Sequence, residues 1–144
     1  MKKGIDHIGI GVCYFCHDGS GRVLLSKRGI KCRDEHGCWD AGGGGIEFGH
    51  SVEETLKKEI REEYCADIIE YEFLGYRDLF REQNGVSTHW VMMDFGVLID
   101  PETVQNGEPD KFEEIGWFHI DALPSPMHSA WDVFFQKNRN RIGL

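Results

Sequence analysis

The chain has 144 residues, with 16 Lys or Arg against 25 Asp or Glu, a formal net charge of −9, and 40% apolar side chains. That length buries roughly two-thirds of the unfolded surface in one core, so a single domain over residues 1–144 is expected. The acidic balance argues against nucleic acid polymers as partners, since broad binding of them rests on basic patches, and the lack of a signal-peptide core or of about 18 consecutive apolar residues predicts a cytoplasmic protein.

Residues 7–15 and 23–28 read as strands joined by the turn Asp18-Gly19-Ser20-Gly21. Within the first, Ile8-Gly9-Ile10-Gly11-Val12 suggests close approach of backbone or ligand on one face. The five cysteines, at 13, 16, 32, 38 and 65, are an odd number and imply no disulfide framework. Cys13 and Cys16 lie three apart on a strand, which turns their thiols to opposite faces and favours buried thiols over structural zinc. Residues 29–38 are polar and loop-like, a wall for a site.

Four glycines, Gly42 to Gly45, follow Trp39-Asp40-Ala41 and read as a loop whose backbone uses positive φ to approach a bound group. A helix begins near Ser51, which forms a capping box with Glu54. Val52, Leu56, Ile60 and Tyr64 recur every four residues and give that helix one apolar stripe. Measured from Leu56, Glu63 falls at about −20°, Glu59 at about −60° and Glu62 at about −120°, so three carboxylates share an edge. Such an arc suits either a solvated acidic face or a hard divalent cation, which takes carboxylate oxygens together with substrate phosphates.

The stretch resembles the signature of the Nudix hydrolases: Gly, five residues, Glu, seven residues, Arg-Glu, an apolar residue, any residue, Glu-Glu, any residue, Gly. Gly44 takes the first place, Glu59 the Arg-Glu position, Ile60 the apolar one, and Glu62 and Glu63 the Glu-Glu pair. Gly43 and Ile46-Glu47-Phe48-Gly49 also match family usage, which places Gly43 and Glu47 on the substrate side. The sequence departs from the pattern at His50, Lys58 and Cys65, where the family has Glu, Arg and Gly. The resemblance implies that Glu59, Glu62, Glu63 and the Gly44 carbonyl hold catalytic Mg2+, with Mn2+ as an alternative, and that Glu59 and Glu62 serve catalysis. It also implies that His50 and Lys58 stand where the family orients this helix, although a lysine cannot reproduce a guanidinium fork. Lys27 and Arg28 end the second strand, where relatives often contact substrate phosphate.

Beyond the helix, residues 68–80 and 88–99 read as long strands around Gln83-Asn84-Gly85, a hairpin of slightly longer loop. Residues 106–114 form a loop rich in acids, followed by a strand over 115–120, and this region also looks like the late segment of many Nudix proteins. There Glu113 or Glu114 would act as base or extra metal ligand, with solvated loop acids the alternative. Residues 127–138 read as a second helix with Trp131, Phe134 and Phe135 on its packing face.

The fold implied is α+β: the Nudix α/β/α sandwich, a central mixed sheet flanked by the box helix and a C-terminal helix. The activity implied is Mg2+-dependent pyrophosphohydrolysis of a nucleoside diphosphate derivative, foremost a nucleoside triphosphate, modified ones included, cut to monophosphate and pyrophosphate. A nucleotide-sugar hydrolase and a non-catalytic nucleotide-binding module are the alternatives. The expected partner is a small-molecule nucleotide, and monomer and homodimer are both open.

Overall fold

A computed structural model describes residues 1–131 together with Phe134, Asn138 and Arg141. Among the described residues, seven strands and one long helix appear: β1 (Gly9–His17), β2 (Arg22–Arg28), β3 (Trp39–Asp40), β4 (Gly43–Gly45), α1 (Val52–Tyr64), β5 (Ile68–Gln83), β6 (Val86–Ile99) and β7 (Phe112–His119). One sheet runs in the order β3-β2-β1-β6-β5, with β4 added to β1 and β7 to β2. β1 and β6 pair in parallel from Gly9↔Trp90 to His17↔Leu98, while the other pairs are antiparallel, so the sheet is mixed as expected.

Side-chain alternation explains why β1 lies at the centre. Val12, Tyr14 and Cys16 enter a cluster with Leu56, Ile60 and Tyr64 of α1. Cys13 and Phe15 enter a second cluster on the other face with Trp131 and Phe134. A strand covered on both faces needs an unbroken apolar run, which Val12 to Cys16 supplies. Leu56 and Ile60 are fully buried, and each contributes about 1.5–3 kcal/mol to holding α1 on the sheet. Among the described residues no helix is long and apolar enough to cross a membrane.

Several boundaries differ from the sequence expectations. The first strand is displaced to Gly9–His17, and the last begins at Phe112, inside the stretch read as a loop. The β5–β6 connection is a two-residue turn, with Asn84 at φ 53 and Gly85 at φ 77 between the paired Gln83 and Val86. Two successive left-handed residues match the twist of the flanking strands, so the hairpin closes more tightly than expected.

Of the four glycines only Gly42, at φ 136, has the left-handed backbone; Gly43, Gly44 and Gly45 form β4 opposite Cys13, Val12 and Gly11. What they require is space, because a Cβ at Gly43 would meet the Val12 carbonyl oxygen at 2.7 Å and one at Gly45 the Trp90 ring at 3.3 Å.

The helix expected over 127–138 lies partly outside the described residues, Phe135 among them. Trp131, Phe134 and Asn138 are helical, whereas Met127 bridges Trp39, so the helix begins after it.

Candidate active site

The helix carrying the three glutamates is fastened at both ends. Ser51 Oγ accepts from the Glu54 N–H at 3.0 Å, and the Thr55 hydroxyl donates to the Ser51 carbonyl at 2.8 Å. At the other end Cys65 adopts φ 57, ψ 26, and its N–H donates to the Arg61 carbonyl. The Tyr64 hydroxyl donates to the Ala41 carbonyl at 2.7 Å, tying the helix end to the segment before the glycines. Two further carbonyls are capped from afar, Tyr64 by the Gln105 N–H at 3.0 Å and Glu63 by the Gly107 N–H at 2.9 Å. Gly107 is required there, since any Cβ would collide with the Glu62 carbonyl oxygen.

Along their shared arc of α1 the three carboxylates pass from core to solvent, Glu63 buried, Glu59 half-buried and Glu62 exposed. Glu63 is 2% exposed, and its Oε2 has no hydrogen-bond partner. The equally buried Tyr14 hydroxyl is close enough to weigh on the Glu63 carboxyl without reaching hydrogen-bonding geometry. Burial drives Glu63 well above the usual carboxylate range. Glu59 is half-buried and lies over Gly44, where a Cβ would stand 2.7 Å from its Oε1. Its pKa is raised by burial first and by the charge of Glu62 second. Glu62 itself is exposed. The Gly44 carbonyl oxygen lies on the β1 side, 2.8 Å from where a Cβ of Gly11 would stand.

A buried carboxylate oxygen without a partner and a half-buried glutamate given room by a missing Cβ have the chemistry a hard divalent cation takes, but among the described residues the ligand atoms of Glu59, Glu62 and Glu63 do not converge as a trio. Ligand atoms of a different trio, Asp34, Glu35 and His128, all lie within 4.8 Å of one another. That trio is already neutralised: Asp34 pairs with Arg28 at 3.0 Å and Arg81 at 2.9 Å, and Glu35 pairs with Arg81 at 2.6 Å.

The remaining sequence candidates separate into three groups. Glu47 stands between the two departures from the family pattern, with Lys58 Nζ at 3.8 Å from Oε1 and His50 Nδ1 at 3.9 Å from Oε2. Lys27 lies 3.8 Å from Glu113 and is paired across the β2–β7 ladder with Glu114, so these three sit together on the sheet. Arg28 has its guanidinium occupied, donating to the Asp34 carbonyl oxygen at 2.9 Å, to Asp34 Oδ1 at 3.0 Å and to Asp40 Oδ2 at 3.0 Å.

The loop side chains that bear electrostatically on Glu59 are Glu108 and Lys111, and Lys111 also acts on Glu63. The sequence reading passed over both. The one available signal was Asn106-Gly107: the glycine lets this loop reach the helix, and the Asn106 side chain holds the Glu108 N–H at 3.0 Å and the Phe112 carbonyl at 2.9 Å.

Two hollows adjoin these elements. A groove of about 630 Å³ runs past Ile8, Ile10, Ile46, Phe48 and Val52, with Glu47 and His50 also in its lining. A smaller chamber of about 200 Å³ lies beside Gly42 and Gly43 and is walled by Arg28, Asp34, Asp40, Arg81, His128 and Trp131.

The NUDIX domain family model matches residues 7–137. The NAD-capped RNA hydrolase NudC of Pseudomonas aeruginosa (strain LESB58) is 33% identical over 82 residues, 56% of this chain and 27% of that protein. The protein of the same name from Stutzerimonas stutzeri (strain A1501) is 31% identical over 126 residues, 80% of this chain and 41% of that protein. The chain thus spans less than half the length of the curated relatives it matches. Among solved structures, a MutT NUDIX hydrolase from Burkholderia pseudomallei shares the fold at a TM-score of 0.79 and 30% identity, over 91% of this chain and 98% of that one. The mutator MutT protein from Bacillus halodurans, at a TM-score of 0.70 and 23% identity over 90% and 80% of the two chains, shows a likeness of fold alone. With the box glutamates in place and the family match running from the start of the sheet into the C-terminal segment, this chain belongs to the Nudix family.

Proposed function

We propose that the chain is a cytoplasmic, Mg2+-dependent pyrophosphohydrolase, acting as one domain on a small-molecule nucleoside diphosphate derivative. A nucleoside triphosphate cut to monophosphate and pyrophosphate is the leading substrate. The observation that carries this reading is the buried, unpartnered Glu63 oxygen close to a half-buried Glu59 seated over Gly44. Glu59, Glu62 and Glu63 would hold Mg2+ or Mn2+, whereas the Gly44 carbonyl, the further ligand expected from the resemblance, is turned to β1. When bound, such a cation neutralises phosphate charge and lowers the pKa of the attacking water.

The chain's own residues supply placement and proton handling. Glu59, whose carboxyl holds a proton more tightly than usual, and the exposed Glu62 are the groups suited to take a proton from water. Glu113 or Glu114 remains the candidate for the additional acid, and Glu108 and Lys111 bring one charge of each sign to bear on Glu59. Lys27 is the strand-end cation for substrate phosphate, with Arg28 holding the chamber wall beside Gly43. Glu47, clasped by His50 and Lys58, fixes the turn that leads into α1.

The names of the curated relatives favour a second reading, a dinucleotide pyrophosphate such as NAD, free or as a cap. Two hollows of unequal size would suit a substrate with two non-phosphate groups.

The test is product release from a panel of nucleoside triphosphates, NAD and nucleotide sugars with Mg2+, assayed with and without inorganic pyrophosphatase. Phosphate that appears only with pyrophosphatase marks triphosphates as substrates, and mononucleotides released from NAD mark the dinucleotide reading. Sugar phosphate as the product would move the assignment to the nucleotide-sugar hydrolases. Binding without turnover across the panel would make the chain a nucleotide-binding module.

A further inference from the structure

The sheet face on which α1 lies is wider than the helix. α1 covers Val12, Tyr14, Cys16, Phe95 and Val97 with Leu56, Ile60 and Tyr64. The ladders set Val12 beside Met93 and Met93 beside Tyr76, then Ile10 beside Val91 and Val91 beside Asp78, so the same face runs on past the helix along β1, β6 and β5. There Ile8, Ile10, Phe73, Tyr76 and Phe80 are each at least half exposed, and Phe48, in the turn before α1, is fully exposed. Among the described residues no element covers them.

The area of this face is that of an interface. At roughly 200 Å² for an aromatic side chain, its four aromatic members alone leave about 600 Å² in water. That is already about the upper end, roughly 600 Å², of the largest apolar patch on a typical monomer. Ile8 and Ile10 bring the total close to the ~800 Å² that each partner gives up in a protein interface of standard size.

The charge of the face favours one occupant. The chain carries −9, yet here the acids are partnered. Asp78 accepts from His89 Nε2 at 2.9 Å, and Glu47 at the rim has Lys58 Nζ at 3.8 Å and His50 Nδ1 at 3.9 Å. The Phe80 ring lies against His89, with centroids 4.3 Å apart, and shields the Asp78 pair. A two-fold axis brings a patch against itself, which an acidic patch resists and a balanced apolar one permits. An anionic lipid surface, by contrast, is repelled by the rest of the chain.

We propose that a second copy of this chain covers the face about a two-fold axis, sheet against sheet, with Phe48, Tyr76 and Phe80 buried in the contact. The groove past Ile8, Ile10 and Phe48 then lies at the seam, and the second copy supplies its outer wall. Glu59 and Glu62 lie instead toward Gly44 and the loop that carries Gly107, so the pairing does not depend on which substrate is cut.

Sedimentation velocity on the full chain, over a dilution series from about 100 to about 1 μM, tests this. The wild type should sediment at twice the chain mass at the top of the series. Tyr76→Asp and Phe80→Asp each set like charges against one another across the contact and should weaken association about tenfold or more. A thermal scan first confirms that each variant folds, and either one carries the test if the other does not. Ile30→Asp adds the same charge at an exposed apolar residue of the 29–38 loop, outside the face, and should leave the dimer as it is. A wild type that stays monomeric at about 100 μM overturns the proposal, and its binding to vesicles of equimolar phosphatidylcholine and phosphatidylglycerol would then give the face to a lipid surface. A dimer that Tyr76→Asp and Phe80→Asp leave intact, or that Ile30→Asp disrupts as strongly, overturns it as well.

Discussion

The carboxyl of Glu59 occupies the space that a side chain on Gly44 would fill, with Oε1 2.7 Å from the position of the missing Cβ. Gly44 has no left-handed backbone, so alanine fits its conformation and conflicts only with the flexible end of Glu59. Gly44→Ala should therefore fold, with Tm lowered by no more than about 4 °C, the equivalent of roughly 1 kcal/mol. Glu59 must turn aside, and kcat should fall about tenfold or more because a displaced catalytic carboxylate loses its alignment. Circular dichroism melts and steady-state kinetics check this; unchanged kcat would mean that the seat over Gly44 does not matter.

Cys65 ends α1 at φ 57, where the family pattern has glycine. A Cβ in that backbone region costs about 1 kcal/mol, partly offset by the greater freedom glycine gains in the unfolded chain. Cys65→Gly should raise Tm by about 1–3 °C. Calorimetry decides it, and an unchanged or lower Tm would show that the cysteine is unstrained there.

His128 is held below its ordinary value of 6.5, by burial first, with Arg28 and Arg81 acting in the same sense and Asp40 and Glu35 opposing. The unfolded chain therefore binds a proton at this side chain, just below pH 6.5, that the folded protein does not. The stability due to neutral His128 is complete above 6.5 and is lost as pH falls through the folded value. Urea unfolding between pH 7.5 and about 5 should show a shallower acid loss for His128→Gln than for the wild type. Equal slopes would remove His128 from the acid response.

What could be read in advance was what depends on near neighbours. The Ser51 cap, the apolar stripe of α1 and the hairpin at Asn84-Gly85 follow from spacings of a few residues, whereas the mixed sheet follows from the family resemblance. The position of Glu63, about −20° from Leu56, already put it on the inner face, although its complete burial depends on Tyr14 from another strand. From the sequence the glycine run reads as a positive-φ loop, whereas the space each glycine leaves is needed by residues far along the chain, Glu59 for Gly44 and Trp90 for Gly45. From the sequence Arg28 is a candidate phosphate contact at the end of β2, and the acids that occupy it, Asp34 and Asp40, reach it only through the path of the intervening loop. The sequence puts His50 and Lys58 only at the positions where the family orients the helix, whereas in the fold both approach Glu47. Glu108 and Lys111 come near Glu59 only because Gly107 docks on the helix end, a contact no local spacing announces.

Whether the box glutamates carry metal-dependent cleavage of a pyrophosphate bond is decided by Glu62→Gln and Glu63→Gln. Each substitution keeps side-chain size and replaces a carboxyl oxygen that a cation could bind with an amide nitrogen that cannot. In saturating Mg2+ and with the best substrate of the panel, both variants should melt within about 4 °C of the wild type and retain less than about a tenth of its kcat. Retention of more than that by both, with folding intact, would contradict that role.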